Sequence, residues 1–488
     1  MHDRAGMRAF FMPYAMQAPL FYNTATEASV LTSISTPLDS ASRFLAFHVT
    51  PYTCMSKAEN LRGEEYGTGA GRAVPWGRHI RRRDDRDSDG AVSDGRPGTW
   101  AHFPKPGGSL RMNILWFTWK DKANPRAGGA EFMNEELAAR LVRDGHRVIF
   151  LVGGFPGCVR EEEIGGYRII RLGNRWTVYL EAYRYYRRYM KDWADLIIEE
   201  INTIPFLTQF YARNKPRIFI IYQLCREIWF YEMFFPLNLL GYLMEPLYLY
   251  AMRKNICITE SESTRKDLRR FGFAEDRVHV FPIGIGMEPL EELGGLEKFP
   301  EPTLLSLGAL RSMKRTVHQV EAFNFAKAES RGLKLIVAGD GSGDYKERVL
   351  QAVADSPYRD DIDYLGGVGL DTKYELMRRS HLILVTSVKE GWGLIVTEAA
   401  SQGTPAIVYN VDGLRDSVIN GFSGLICREN SPAEMARLIT SALSNREKYE
   451  AMRMSAWKLS KEYTLDRSYA EFAAILRRVC RGNPRVSG

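Results

Sequence analysis

The chain has 488 residues, 45% hydrophobic and 26% charged, which is too long for one core and ordinary for a globular protein of two domains plus extras. Lysine and arginine number 66 against 59 acidic residues, and a net charge of +7 is too mild to imply a nucleic-acid partner. Six scattered cysteines (Cys54, Cys158, Cys225, Cys257, Cys427, Cys480) show no CxxC pair or nearby His cluster, which argues against a zinc site or disulfide framework and for a reducing compartment.

Residues 1–109 carry Gly-, Arg-, Asp- and Pro-rich runs such as Arg81 to Gly90 and Gly95 to Gly108, without sustained periodicity. That composition cannot bury enough apolar area to offset ordering entropy, so a disordered N-terminal extension is predicted. No N-terminal stretch has the charged, apolar, small-residue order of a secretory signal, and a cytoplasmic location is expected.

From Met112 the texture changes. Asn113 to Thr118 is a short apolar run, followed by a loop with Gly128 and Gly129. A helical pattern spans Ala130 to Arg143, Asp144-Gly145 ends it, and His146 to Val152 reads as the next strand. This is a βαβ unit. Further buried strands are predicted at 195–198, 217–222 and 255–259, with Ser261 as N-cap of a helix through Phe271. The Gly-, Glu- and Pro-rich stretch from Pro282 to Pro302 has no strand pattern. The reading is therefore a first Rossmann-like domain at 110–285, a linker at 286–302, and a second at 303–465. In the second, strands are predicted at 303–307, 333–338, 362–365, 381–385 and 404–409. The stretch from Pro432 to Arg478 reads as helical, with 466–488 a C-terminal helix and tail crossing back onto the first domain. Two parallel α/β units facing each other imply a cleft at the carboxyl ends of their strands.

The strongest chemical signal is the run from Val388 to Ala399, which passes from a strand through a glycine loop into a helix. Backbone N–H groups at Trp392, Gly393, Leu394 and Ile395, with the positive end of the helix, favour a diphosphate. Glu390 precedes that helix, where its carboxylate reaches sugar hydroxyls. Glu398 lies in the early turns, where two oxygens suit the vicinal hydroxyls of a ribose. The run Gly308-Ala309-Leu310-Arg311-Ser312-Met313-Lys314 supplies cations after the first strand of the second domain. A leaving diphosphate needs such cations, because negative charge builds there as its bond breaks. At Gly128 and Gly129 the missing Cβ lets a ligand approach the backbone.

On these residues the sequence resembles the retaining nucleotide-sugar glycosyltransferases of family 4 (glycosyl transferases group 1), which have the GT-B fold and an EX7E motif, here Glu390-x7-Glu398. The likeness runs from about Met112 to Tyr469 and includes Gly128-Gly129-Ala130-Glu131 and Gly339-Asp340-Gly341. It implies Glu390 on the donor hexose, Glu398 on the ribose, and Lys314 and Arg311 on the diphosphate. The nucleotide sugar would be a substrate, and no cofactor is implied. Two departures stand out: Ala309 occupies the usual Arg position after the glycine, and Tyr222 stands where relatives often carry His. Asp85-Arg86-Asp87 and Asp87-Ser88-Asp89 look like metal-binding DxD motifs but fall in the presumed disordered tail, so no metal site is predicted.

Arg184, Arg187, Arg188 and Lys191 recur at helical spacing, interleaved with Tyr183, Tyr186 and Tyr189. The stretch 228–252 is crowded with aromatic and aliphatic residues, but Glu232, Pro236, Glu245 and Pro246 spoil it as a bilayer span. A basic stripe at 184–191 and an apolar segment at 228–252 predict peripheral membrane contact and a lipid-linked or envelope acceptor. The alternatives are a soluble sugar acceptor, another GT-B enzyme such as an epimerase, or a catalytically inactive nucleotide-sugar-binding scaffold. No G-x-G-x-x-G follows the first strand, which ranks an NAD-dependent oxidoreductase last.

Overall fold

The structure, a computed structural model, describes residues 111–481. The predicted extension 1–109, with Cys54 and the Asp85 to Asp89 run, lies outside the described residues.

The first sheet contains β1 (Asn113–Phe117), β2 (Arg147–Gly153), β3 (Glu161–Ile164), β4 (Tyr167–Leu172), β5 (Leu196–Glu200), β6 (Arg217–Ile220), β7 (Ile256–Thr259) and β8 (Val278–Val280). Their order is β3-β4-β2-β1-β5-β6-β7-β8, parallel except where β3 pairs antiparallel with β4. The parallel strands are near-continuous apolar runs because helices cover both faces. The edge strand β3 instead reads Glu-Glu-Glu-Ile, and charge at an edge discourages pairing with another chain. Around this sheet lie α1 (Gly129–Arg143), α2 (Val178–Tyr185), α3 (Thr208–Tyr211), α4 (Trp229–Glu232), α5 (Leu237–Met252) and α6 (Glu262–Arg270). Ser261 caps α6, its Oγ accepting from the Thr264 N–H at 3.2 Å.

The second sheet runs β11 (Ile362–Gly366), β10 (Lys334–Ala338), β9 (Thr303–Leu307), β12 (Leu382–Val385), β13 (Ala406–Val408) and β14 (Gly424–Ile426), parallel throughout. Leu305 of β9 is in register with both Ile336 and Ile383. Its helices are α7 (Thr316–Glu329), α8 (Asp344–Ala354), α9 (Leu370–Arg379), α10 (Leu394–Ser401), α11 (Leu414–Ser417), α12 (Pro432–Ser444) and α13 (Arg446–Ser460). A last helix, α14 (Leu465–Arg481), packs on the first core, where Phe472 stacks on Trp116 with ring centroids 6.0 Å apart.

In each sheet the strand order reverses once, between β1 and β5 and between β9 and β12. Loops leaving adjacent strands at such a point diverge and open a crevice at the carboxyl ends. The loops after β1, β9 and β12 carry the glycines, cations and acids singled out in the sequence.

Two local expectations gain detail. The helical stretch from Pro432 is three helices; Asn445 breaks the first run and caps the next, its side chain accepting from the Lys448 N–H at 2.9 Å. The stripe Arg184, Arg187, Arg188, Lys191 is exposed, and it runs across the point where α2 passes into a π turn at Tyr186–Met190. The wider turn lets the consecutive Tyr185 and Tyr186 both be buried.

Candidate active site

The β12–α10 loop brings the second sheet's acid to its cation. Lys314, at the end of a short turn after β9, forms an ion pair with Glu390 Oε1. Ser387 Oγ donates to the same oxygen at 2.5 Å. Thr386 Oγ1 donates to the Lys314 carbonyl at 2.8 Å, tying the two loops together. Gly393 adopts a left-handed φ of 86° as N-cap of α10, so the chain turns sharply and the first helical amides face outward from its end. Glu398, one turn on, pairs with Lys373 of α9 at 2.8 Å. Two acids, Glu390 and Glu398, thus lie before and within the first turns of α10, each held by a lysine.

Trp392 differs from its neighbours. Its ring is buried against Tyr463, with centroids 5.2 Å apart, and its Nε1 donates to Thr397 Oγ1 at 2.9 Å. Its side chain is packing, and only its backbone is available to a ligand. Gly339 and Gly341 are packing positions as well: a Cβ on Gly339 would lie 1.9 Å from the Gly308 carbonyl oxygen, so the β10 loop nests against the β9 loop.

The first domain meets this loop closely. A Cβ on Gly129 would lie 2.4 Å from Leu394 Cδ1, and a Cβ on Gly391 would lie 1.9 Å from Glu260 Oε1 and 2.7 Å from the Tyr222 carbonyl oxygen. Lys389, almost wholly buried, bridges Asp267 of α6 at 2.5 Å and Asp412 at 2.7 Å. Burial pulls the Lys389 pKa down, but hydrogen bonds to the two aspartates outweigh it and hold the ammonium above its usual value. Asp416 Oδ1 accepts from the Ser263 N–H at 3.2 Å. Arg311 does not point freely to a diphosphate: it pairs with Glu232 of α4 at 2.8 Å, while Arg315 donates to the Tyr231 hydroxyl at 3.0 Å.

Sequence reasoning passed over a set of acids at the carboxyl ends of the first sheet. Glu200 ends β5 and accepts from Thr118 Oγ1 and Asn134 Nδ2, each at 2.6 Å. Tyr222 donates its hydroxyl to Asn134 Oδ1 at 2.7 Å, so it is engaged inward. Burial first, then the charge of Glu131, pushes Glu200 up to about 7. Glu260 follows β7, and burial, then Glu390, then Glu200 raise it well above the usual carboxylate value. The sequence signal was available: two glutamates closing an apolar strand at Leu196–Glu200, and another directly after β7.

A concavity of about 330 Å³ lined by Glu262, His279, Glu471 and Arg478 lies along β8, α6 and α14, apart from these loops. Among the described residues no group of three or more His, Cys, Asp or Glu is arranged to hold a metal ion.

Residues 127–288 match the family described as Glycosyltransferase Family 4, and residues 295–458 match Glycosyl transferases group 1. The D-inositol 3-phosphate glycosyltransferase of Geodermatophilus obscurus is 30% identical over 220 residues, 45% of this chain and 45% of that protein. The chain thus spans about half the length of that relative. Among solved structures, sucrose-phosphate synthase from Thermosynechococcus elongatus is similar with a TM-score of 0.63 at 17% identity, covering 76% of this chain and 100% of that one. HepE of Anabaena, solved in complex with UDP-glucose, is similar with a TM-score of 0.57 at 16% identity, covering 75% and 100%. At these identities the structural likeness is one of fold. Matched in both halves, and with two parallel-sheet domains in that arrangement, the chain belongs to the group 1 glycosyltransferases of GT-B fold.

Proposed function

We propose that the protein is a retaining glycosyltransferase that moves a sugar from a nucleotide-sugar donor to a hydroxyl of a lipid-linked or envelope-precursor acceptor. The observation that carries this reading is the Lys314–Glu390 pair on adjoining switch-point loops, beside the open amides of α10 and with Glu398 one turn on. Glu398 holds the ribose, the Gly393 to Ile395 amides and Lys314 hold the diphosphate, and Glu390 orients the sugar. As the anomeric bond breaks, charge on the leaving diphosphate rises, and the fixed cation and helix end lower the barrier. The acceptor hydroxyl attacks from the face the diphosphate leaves, and a diphosphate oxygen takes its proton, so configuration is kept. Arg311 joins the diphosphate once it leaves Glu232.

The apolar segment supports a membrane acceptor. On α5 and the turn before it, Phe234, Phe235, Leu240, Leu243, Leu247 and Tyr250 are each half or more exposed, and Arg253 and Lys254 follow. An apolar helix face bounded by cations suits the interface of an anionic bilayer. Among the described residues no helix is long and apolar enough to cross a membrane.

Radiolabelled nucleotide sugars incubated with the full chain and a membrane lipid extract test the reading. Label entering the organic phase from one donor, with the donor's anomeric configuration kept by NMR, is the expected result. Inversion of configuration would refute the mechanism. A second reading, an inactive donor-binding scaffold, draws on the Arg311–Glu232 pair and on Ala309; a donor that raises the melting temperature without any transfer would favour it.

A further inference from the structure

Three cations crowd the turn between β9 and α7, and each has a partner. Lys314 pairs with Glu390 inside the second domain, whereas the flanking Arg311 and Arg315 both reach across to α4 of the first. Arg311 sets Nη2 at 2.8 Å and Nε at 3.3 Å from the same Glu232 oxygen. Arg315 donates to the Tyr231 hydroxyl at 3.0 Å, with its guanidinium 5.6 Å from the centre of that ring. The mount that carries Glu232 is fixed. Trp229 of α4 donates its Nε1 to Glu245 Oε2 of α5 at 3.3 Å, and a Cβ on Gly241 would lie 2.5 Å from the Trp229 ring. Glu245 is buried and accepts from the Cys225 and Arg226 N–H groups, each at 2.7 Å. The Arg311 side chain, by contrast, is half exposed at the end of a long stem and can re-aim. Like charges packed in one turn repel, so a turn built to hold a diphosphate needs counter-ions when the diphosphate is absent. Glu390 and Glu232 supply them, one from each domain.

We propose that Glu232 is an internal counter-ion that the donor's diphosphate displaces from Arg311, so that an acid of the first domain sets the donor affinity of the second. The proposal rests on the transferase reading. A diphosphate offers Arg311 more than Glu232 does, because its several oxygens accept both prongs of the guanidinium where the carboxylate now uses one. The exchange is easy because the pair is open to solvent, where such pairs are weak. The Arg315–Tyr231 contact needs no carboxylate, so α4 stays docked on the turn when Arg311 leaves. Glu232 thus acts through Arg311, as a positioning residue. By linkage, whatever Arg311 gains from Glu232 is subtracted from donor binding.

The test titrates the full chain calorimetrically with whichever of UDP, ADP, GDP and CDP most raises the wild-type melting temperature. Glu232→Gln is expected to bind that nucleoside diphosphate about two- to fivefold more tightly than wild type, the span of an exposed ion pair. Arg311→Ala is expected to bind it about tenfold more weakly, as for loss of a charged hydrogen bond. In the Arg311→Ala background, adding Glu232→Gln is expected to change affinity by less than about 1.5-fold, because the residue it acts through is gone. Binding by Glu232→Gln no tighter than wild type would overturn the proposal. So would a gain that persists without Arg311, which would mark plain repulsion between Glu232 and the ligand, and so would wild-type affinity in Arg311→Ala. A purely structural role for the pair would lower the melting temperature of Glu232→Gln without tightening binding. If no nucleoside diphosphate shifts the wild-type melting temperature, the transferase reading fails first and this proposal falls with it.

Discussion

Gly391 lies hard against the first domain, and Gly391→Ala should separate closure from donor binding. A methyl group there would lie 1.9 Å from Glu260 Oε1 and 2.7 Å from the Tyr222 carbonyl oxygen. The carboxyl, at the end of a flexible side chain, can swing aside. The carbonyl belongs to the backbone just beyond β6, and reaching an ordinary 3.4 Å contact requires the two walls to part by about 0.7 Å. Overpacking of this kind costs about 1–3 kcal/mol. The cost falls on the closed contact alone, which makes it a shift of roughly 5–150-fold against closure. Transfer needs both walls, whereas Glu398, Lys373 and the α10 amides all belong to the second domain. Steady-state label transfer is therefore expected to lose roughly 5–150-fold in kcat/KM, with donor affinity by calorimetry within threefold. Gly391→Ala combined with Glu260→Ala should recover only part of the loss, because the Tyr222 carbonyl remains. Transfer within twofold of wild type in the single variant would show that this contact is not used in turnover.

Three further outcomes follow from the same geometry. Lys389→Ala removes the bridging ammonium while Asp267 keeps Arg270 and Asp412 keeps Arg415, so a loss of about 1.5–3 kcal/mol, as for charged hydrogen bonds, is expected in urea unfolding; a loss below about 0.5 kcal/mol would contradict the bridge. Glu200 keeps its proton to about pH 7 in the folded protein, whereas an unfolded glutamate releases it near 4.5. Its contribution to stability is therefore full below pH 4.5 and falls as pH rises toward 7, by about 1.4 kcal/mol per unit. Glu200→Gln should accordingly gain on wild type between pH 5 and pH 8 in unfolding midpoint, and a constant difference across that range would refute the assignment. Leu240→Asp with Leu247→Asp places charges on side chains 56% and 62% exposed, so sedimentation with anionic vesicles should drop at least tenfold at unchanged melting temperature. Equal sedimentation would remove α5 as the membrane contact.

Much of the framework could be read from local sequence because parallel, doubly covered strands are apolar runs; β1, β2, β5 and β9 all show it. The Ser261 cap and the glutamates at 390 and 398 were legible for the same reason, since each signal lies within a dozen residues. The pairings were not. Lys389 meets Asp267 from 122 positions away, Tyr222 reaches Asn134 across 88, and Arg311 is held by Glu232 across 79. No periodicity encodes such contacts: Tyr222 meets Asn134 only when the first sheet and α1 pack, and the other two exist only once the two sheets face each other. The same applies to Gly391, an unremarkable loop glycine until Tyr222 and Glu260 are set against it. The basic stripe is exposed as expected, but the π turn inside it was not legible, because helical spacing assumes a uniform turn.

The central claim is that Glu398 binds the donor while Glu390 directs its sugar, and one paired measurement addresses it: donor affinity and single-turnover label transfer for wild type, Glu390→Gln and Glu398→Gln. Glu390→Gln is expected to bind donor within about threefold and to transfer at least 100-fold more slowly, as for loss of one preorganised electrostatic group. Glu398→Gln is expected to lose donor affinity about tenfold, as for a charge-assisted hydrogen bond to the ribose. Undiminished transfer by Glu390→Gln, or unchanged donor affinity in Glu398→Gln, would contradict the account.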